Sequence, residues 1–264
     1  MSPATVPRCL TIAGSDSGGG AGIQADLKAF AAARCHGTTA IVALTAQNTV
    51  GVLDVLEVPA AFVRAQLDAV FSDIGVDGAK TGMLFSAEIV ETVADFLAGR
   101  DVPLVVDPVM VASSGARLLQ DDAVEALVSR LFPLATVITP NLMEAQALTG
   151  EGTGLSLSLL AEGLHDLGAP AVIVTGGHGD RHVDHLFDGR DHVEIPVERH
   201  DVASTHGAGC THSATLAALL AHGLSLPDAA SGAAEAASRA VAQGWPEIGA
   251  GDGPVDVLGL RAAR

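Results

Sequence analysis

The chain is short of cysteine, of cations, of aromatics and of long hydrophobic runs, and each shortage removes a class of protein. Its 264 residues hold three cysteines, Cys9, Cys35 and Cys210. An odd number without CxxC or metal-ligand spacing points to neither a disulfide framework nor a structural zinc, and fits a reducing cytoplasm. Lys plus Arg total 14 against 31 Asp plus Glu, a net charge of −17. Such a surface repels nucleic acid and anionic lipid. No stretch of about 20 apolar residues runs uninterrupted, so no spanning helix is expected. Residues Met1 to Arg8 lack a basic start leading into an apolar segment, so no secretory leader is expected. Aromatics at 3% and charged residues at 17%, with thirty dispersed glycines, argue against a collagen, a coiled coil and a disordered tail.

What is present is apolar: 48% of the residues, enough to bury a sizeable core. β-Branched runs recur at Leu10–Ile12, Thr39–Leu44, Val50–Val58, Leu104–Val106, Val137–Ile138 and Val172–Val174, and read as buried strands. Helical periodicity lies between some of them, from Phe62 to Ile74 after Pro59 and from Ile89 to Leu97 between Ser86 and Gly99. Alternation of this kind predicts a mostly parallel sheet with helices on both faces. The segment from His182 to Pro196 reads as a hairpin turning at Asp188-Gly189. No linker, low-complexity stretch or repeat divides the chain, so residues 1–264 are expected to form a single domain. In open α/β sheets ligands bind beyond the carboxyl ends of the strands, and the loops there are where chemistry is sought.

The first such loop, Gly14 to Gly22, leaves a strand and enters a helix over Ile23 to Arg34. Its glycines let backbone N–H groups approach a ligand, though a flexible turn explains them as readily. Gly20-x-Gly22-x-x-Ala25 matches a variant dinucleotide fingerprint, but the next strand ends in Ala46-Gln47-Asn48 without the acid that takes a ribose, which weakens an NAD-dependent oxidoreductase. The only lysines, Lys28 and Lys80, follow Leu27 and Ala79, so a Walker-type P-loop is excluded. A second turn, Ser204 to Thr211, precedes an apolar helix. Amides at Gly207, Ala208 and Gly209 could form an anion hole at the positive end of the helix dipole, and the same position is expected to lower the pKa of Cys210. Asn141 and Glu144 have capping-box spacing, which alone explains both. Equally, a carboxylate and an amide at a strand end could organise hydrated Mg²⁺ near phosphates, with Asp107 joining them.

Eight motifs occur in one order: Thr11 to Asp16, Gly22 to Lys28, Ala46 to Thr49, Lys80 to Leu84, Asp107 to Met110, Thr139-Pro140-Asn141, Gly176-Gly177-His178 and His206 to Thr211. Together they resemble the hydroxymethylpyrimidine/phosphomethylpyrimidine kinases of thiamine biosynthesis, within the ribokinase-like superfamily. The resemblance implies a three-layer ribokinase-like α/β fold with a small β-hairpin extension. It implies ATP-dependent phosphorylation of 4-amino-5-hydroxymethyl-2-methylpyrimidine and then of its monophosphate, by a cytoplasmic homodimer using ATP and Mg²⁺. It makes Cys210 the base where sugar kinases have Asp, with Gly207, Ala208 and Gly209 stabilising the transferred phosphoryl group. Gln47 then reads the pyrimidine, with Asp26, Gly14 and Met83 lining its pocket. Gly176 and Gly177 border the nucleotide, and Asn141 with Glu144 form the magnesium-phosphate motif. Many members carry lysine at the positions of Ser113 and Thr175, and Lys80 is the candidate substitute. The nearest alternative is a pyridoxine or pyridoxal kinase. From another class, a non-catalytic nucleotide- or pyrimidine-binding protein would keep the glycine loops but not need Cys210.

Overall fold

The structure is a computed structural model that describes residues 6–111, 119–150, 154–176 and 182–261. Among the described residues nine strands form one sheet: β1 (Arg8–Asp16), β2 (His36–Gln47), β3 (Val52–Glu57), β4 (Gly78–Thr81), β5 (Leu104–Val106), β6 (Val137–Ile138), β7 (Val172–Val174), β8 (Val183–Phe187) and β9 (His192–Pro196). Their order is β3-β2-β1-β4-β5-β6-β7-β8-β9. From β2 to β7 every neighbouring pair is parallel. The helices are α1 (Gly22–Ala32), α2 (Ala60–Ala69), α3 (Ala87–Leu97), α4 (Asp121–Ala126), α5 (Leu142–Thr149), α6 (Leu157–Asp166), α7 (Ala208–Ala221) and α8 (Leu226–Ala242).

Strands such as β5 and β7 are unbroken β-branched or leucine runs because both faces are covered. On one face α2, α3 and α6 supply Val63, Leu67, Val93 and Leu164 against Ile12, Val42, Val106 and Ile138. On the other, α1, α7 and α8 pack Phe30, Leu216, Ala217 and Ala233 against Cys9, Val105, Val137 and Ile173. Alanines and glycines let this second layer lie close: a Cβ on Gly78 would press on the Ala217 carbonyl.

Two features differ from the expected pattern. The strand expected over Thr39–Leu44 runs from His36 to Gln47, because it pairs with β1 on one side and antiparallel β3 on the other. The sheet thus has an antiparallel hairpin at each edge, β2–β3 and β8–β9. The periodic segment after Pro59 is not one α-helix: it widens into a π-turn over Val70–Ile74 and stops at Gly75, whose φ is +79°. The Ser86 start and the hairpin about Asp188-Gly189 match the sequence reading.

Candidate active site

The parallel arrangement brings the carboxyl ends of β1, β2, β4, β5, β6 and β7 to one edge. There the first glycine loop and the start of α7 meet. Gly207 caps α7 with φ +90°, and a Cβ there would strike the carbonyl of Gly20. No side chain caps α7, and Gly209 faces open space. The Ala208 N–H donates to the Thr205 carbonyl at 3.0 Å, so it is the amides of Gly209 and Cys210, with no earlier helical turn to bond to, that the macrodipole offers to an anion. The expected anion hole of Gly207, Ala208 and Gly209 amides therefore lacks the Ala208 N–H, which the Thr205 carbonyl holds.

The Cys210 thiol differs from expectation. The sequence reading had the helix start lowering its pKa, but burial pushes it up to about 12, and Lys80 and the Gly22 N–H only partly oppose that. The starts of α1 and α7 lie against each other where Gly207 packs on Gly20 and Ala21.

Lys80 is a second correction. It was expected as a phosphate-facing stand-in for missing lysines, yet it has no exposed surface. Its Nζ lies 3.0 Å from Asp26 Oδ1 and 3.9 Å from Asp107 Oδ2. Burial opposes its charge, but Asp26, Cys210 and Asp107 outweigh that and hold the ammonium above the usual lysine range. Asp26 is corrected with it. Expected on the pocket wall, it is wholly buried and also accepts from Thr11 Oγ1 at 2.6 Å. The periodicity of α1 gave no sign of this, because an acid on a buried helix face is stable only with a partner that lies 54 residues on.

Gln47, at the end of β2, is half-buried and lines a cavity of about 210 Å³ with Asn48, His206 and Asp252. Its Oε1 accepts from Thr45 Oγ1 at 3.0 Å. Gly14 and Met83 adjoin each other: a Cβ on Gly14 would meet the Met83 methyl group. Gly176 is buried, and its N–H is taken by Asp184 Oδ1 at 3.0 Å. Gly177 and Ser113 lie outside the described residues.

Asn141 and Glu144 form the full capping box: Asn141 Oδ1 accepts from the Glu144 N–H at 2.9 Å, and Glu144 Oε2 from the Asn141 N–H at 3.0 Å. Burial, then the charge of Asp107, pushes Glu144 up to about 8. Asp107 is likewise raised by burial, against the pull of Lys80, Ser213 and His212. Among the described residues no group of three His, Cys, Asp or Glu side chains could hold a metal ion. Two mutually repelling carboxylates still suit a cation bound mainly through its own waters, as magnesium is.

Sequence reasoning missed one pair. His206 Nε2 lies 3.0 Å from Asp16 Oδ2, and both side chains are buried. Asp16 also accepts from the N–H groups of Gly18, Gly20 and Ala21. Burial alone would raise its pKa, but His206 and the amides of Ala21 and Gly18 bring it below the usual carboxylate range. No spacing signal joins residues 190 apart.

An open, mostly parallel sheet, with a glycine turn opening α7 and a cysteine at that turn, defines a small-molecule kinase of ribokinase-like fold. Residues 16–256 match the family described as phosphomethylpyrimidine kinase. The chain belongs to that family. It is 48% identical over 258 residues, 96% of this chain and 95% of the relative, to the hydroxymethylpyrimidine/phosphomethylpyrimidine kinase of Streptomyces coelicolor. The ADP complex of Bacillus subtilis pyridoxal kinase superposes with a TM-score of 0.88 at 38% identity, covering 97% of this chain and 99% of that one. A Clostridium difficile phosphomethylpyrimidine kinase gives a TM-score of 0.76 at 38% identity, over 87% and 96%. No helix among the described residues is long and apolar enough to cross a membrane.

Proposed function

We propose that this chain phosphorylates 4-amino-5-hydroxymethyl-2-methylpyrimidine with ATP, and then its monophosphate, acting from a single domain over residues 1–264. The observation that carries the reading is the uncapped start of α7, which places Cys210 beside the first glycine loop in a chain of the phosphomethylpyrimidine kinase family. A polar alcohol brought there meets a sulfur whose thiolate form can take its proton and amides that can face the transferred phosphoryl group.

In this reading the ring lies against Gly14 and Met83, and the Gln47 amide pairs with its polar edge. Cys210 acts as its thiolate, a form that the Lys80 ammonium favours, and accepts the hydroxyl proton to become a thiol as the oxygen bonds to the γ-phosphorus of ATP and ADP leaves. The amides of Gly209 and Cys210 bear the charge on the moving phosphoryl group. Magnesium, when bound beside Asp107 and Glu144 with its waters, would neutralise phosphate charge. Gly176 shapes the nucleotide border through its carbonyl side and close packing, since its N–H is held by Asp184. The exposed Leu53 and Leu56 of edge strand β3, with Phe62 nearby in sequence, support a homodimer through that edge. The cysteines and acidic surface suit a cytoplasmic enzyme.

The likeness to pyridoxal kinase favours one second reading, phosphorylation of pyridoxal, whose hydroxymethyl group also sits on a nitrogen ring. Turnover of both alcohols by the purified protein, with ADP release as the readout, decides between them. A higher kcat/KM for the pyrimidine supports the first; a higher value for pyridoxal supports the second.

A further inference from the structure

His206 belongs to both halves of the site. It lines the Gln47 cavity together with Asn48, Thr49 and Asp252, and its backbone immediately precedes Gly207, the cap of α7. The ring is gripped on several sides. Nε2 pairs with Asp16, a Cβ on Gly20 would strike the ring edge, and the backbone N–H and C=O are bonded to Gly253 and Val255. Asp16 in turn holds the loop through the Gly18, Gly20 and Ala21 amides, and the Gly20 carbonyl of that loop packs against Gly207. A buried carboxylate with four donors and a packed imidazole have little freedom to move apart. A ligand that presses on the His206 ring therefore presses on the Gly207 turn as well.

We propose that the Asp16–His206 pair is a positioning pair that couples occupation of the Gln47 cavity by the pyrimidine alcohol to alignment of the phosphate-binding turn at Gly207–Cys210. The alcohol then prepares the nucleotide site before transfer, which disfavours ATP hydrolysis in its absence. Coupling of this kind is reciprocal, so the nucleotide tightens the alcohol by the same factor. The inference rests on the pyrimidine-kinase reading for the identity of the alcohol.

The test is calorimetric: the Kd of the non-hydrolysable analogue AMP-PCP with Mg²⁺ is measured with and without saturating pyrimidine alcohol. In the unaltered protein the alcohol should tighten AMP-PCP about tenfold, within the usual range for coupled sites. His206→Leu should bring that factor close to one and lower kcat about 10- to 100-fold, as small misplacements do. His206→Gln, which keeps an N–H near the position of Nε2, should restore most of both. If His206→Leu does not fold, Asp16→Asn carries the same expectation, because it turns an acceptor toward a donor. An unchanged coupling factor in either folded variant overturns the proposal. Absence of alcohol binding to the unaltered protein would instead overturn the pyrimidine reading on which it rests.

Discussion

Lys80 Nζ lies 3.0 Å from Asp26 Oδ1, and neither side chain has any exposed surface. With Asp107 Oδ2 at 3.9 Å, one cation serves two carboxylates under the site. Lys80→Met removes that cation and leaves the carboxylates buried and unpaired, which should cost about 3–5 kcal/mol of stability. Urea denaturation measures it. Adding Asp26→Asn should recover part of the loss; no recovery would mean the pair is not what stabilises this region.

Cys210 carries the second expectation. Cys210→Ala should lower kcat about 10²-fold or more while leaving the KM for ATP nearly unchanged, as removal of a general base does. Turnover equal to the unaltered enzyme would leave this residue as packing only.

The pH dependence follows from the raised thiol. Burial pushes Cys210 up to about 12, so thiolate is scarce near neutrality and increases as pH rises. kcat/KM should therefore climb by about tenfold per pH unit through the neutral range, since it reports groups of the free enzyme. Cys210→Asp, with a base that loses its proton more readily, should flatten the climb. A flat profile for the unaltered enzyme would remove the thiolate from the rate-determining path.

Gln47→Leu keeps approximate volume but leaves the polar edge of the ring unpaired. It should cost about 1–3 kcal/mol in kcat/KM for the pyrimidine, with ATP little affected. Steady-state kinetics at fixed free Mg²⁺ separate the two, and a loss confined to ATP would move Gln47 out of the pyrimidine pocket.

Thr175 follows β7 and pairs with Asn141 across an isolated bridge. Because Lys80 is bound to Asp26 and Asp107, it cannot supply the charge absent at Thr175. Thr175→Lys should raise kcat/KM for the monophosphate more than for the free alcohol, by a margin that shrinks as salt rises. Equal effects on both substrates would show that backbone amides and metal already neutralise the site.

Much of this was legible in the chain because local rules and motif order speak for themselves. The β-branched runs that became β5, β6 and β7, the Ser86 cap, the Asn141–Glu144 box and the turn before α7 all rest on neighbours close in sequence. What stayed hidden depends on distant pairing. Asp26 reads as a pocket-lining residue until Lys80 is folded against it. Cys210 reads as an activated thiol because a helix start is visible in sequence, whereas the burial that outweighs it is not. His206 stood within a quoted motif, but its partner Asp16 lies at the other end of the chain. The antiparallel placing of β3 escaped notice because periodicity reports a strand and not its neighbour.

The central claim is tested most directly by following phosphate from γ-labelled ATP onto 4-amino-5-hydroxymethyl-2-methylpyrimidine and then onto its monophosphate, with the unaltered protein and Cys210→Ala side by side. Labelled monophosphate and then diphosphate should form with the unaltered protein, and about a hundredfold less of each with the variant. No transfer to the pyrimidine alcohol by the folded, unaltered protein, or equal transfer by both proteins, would contradict it.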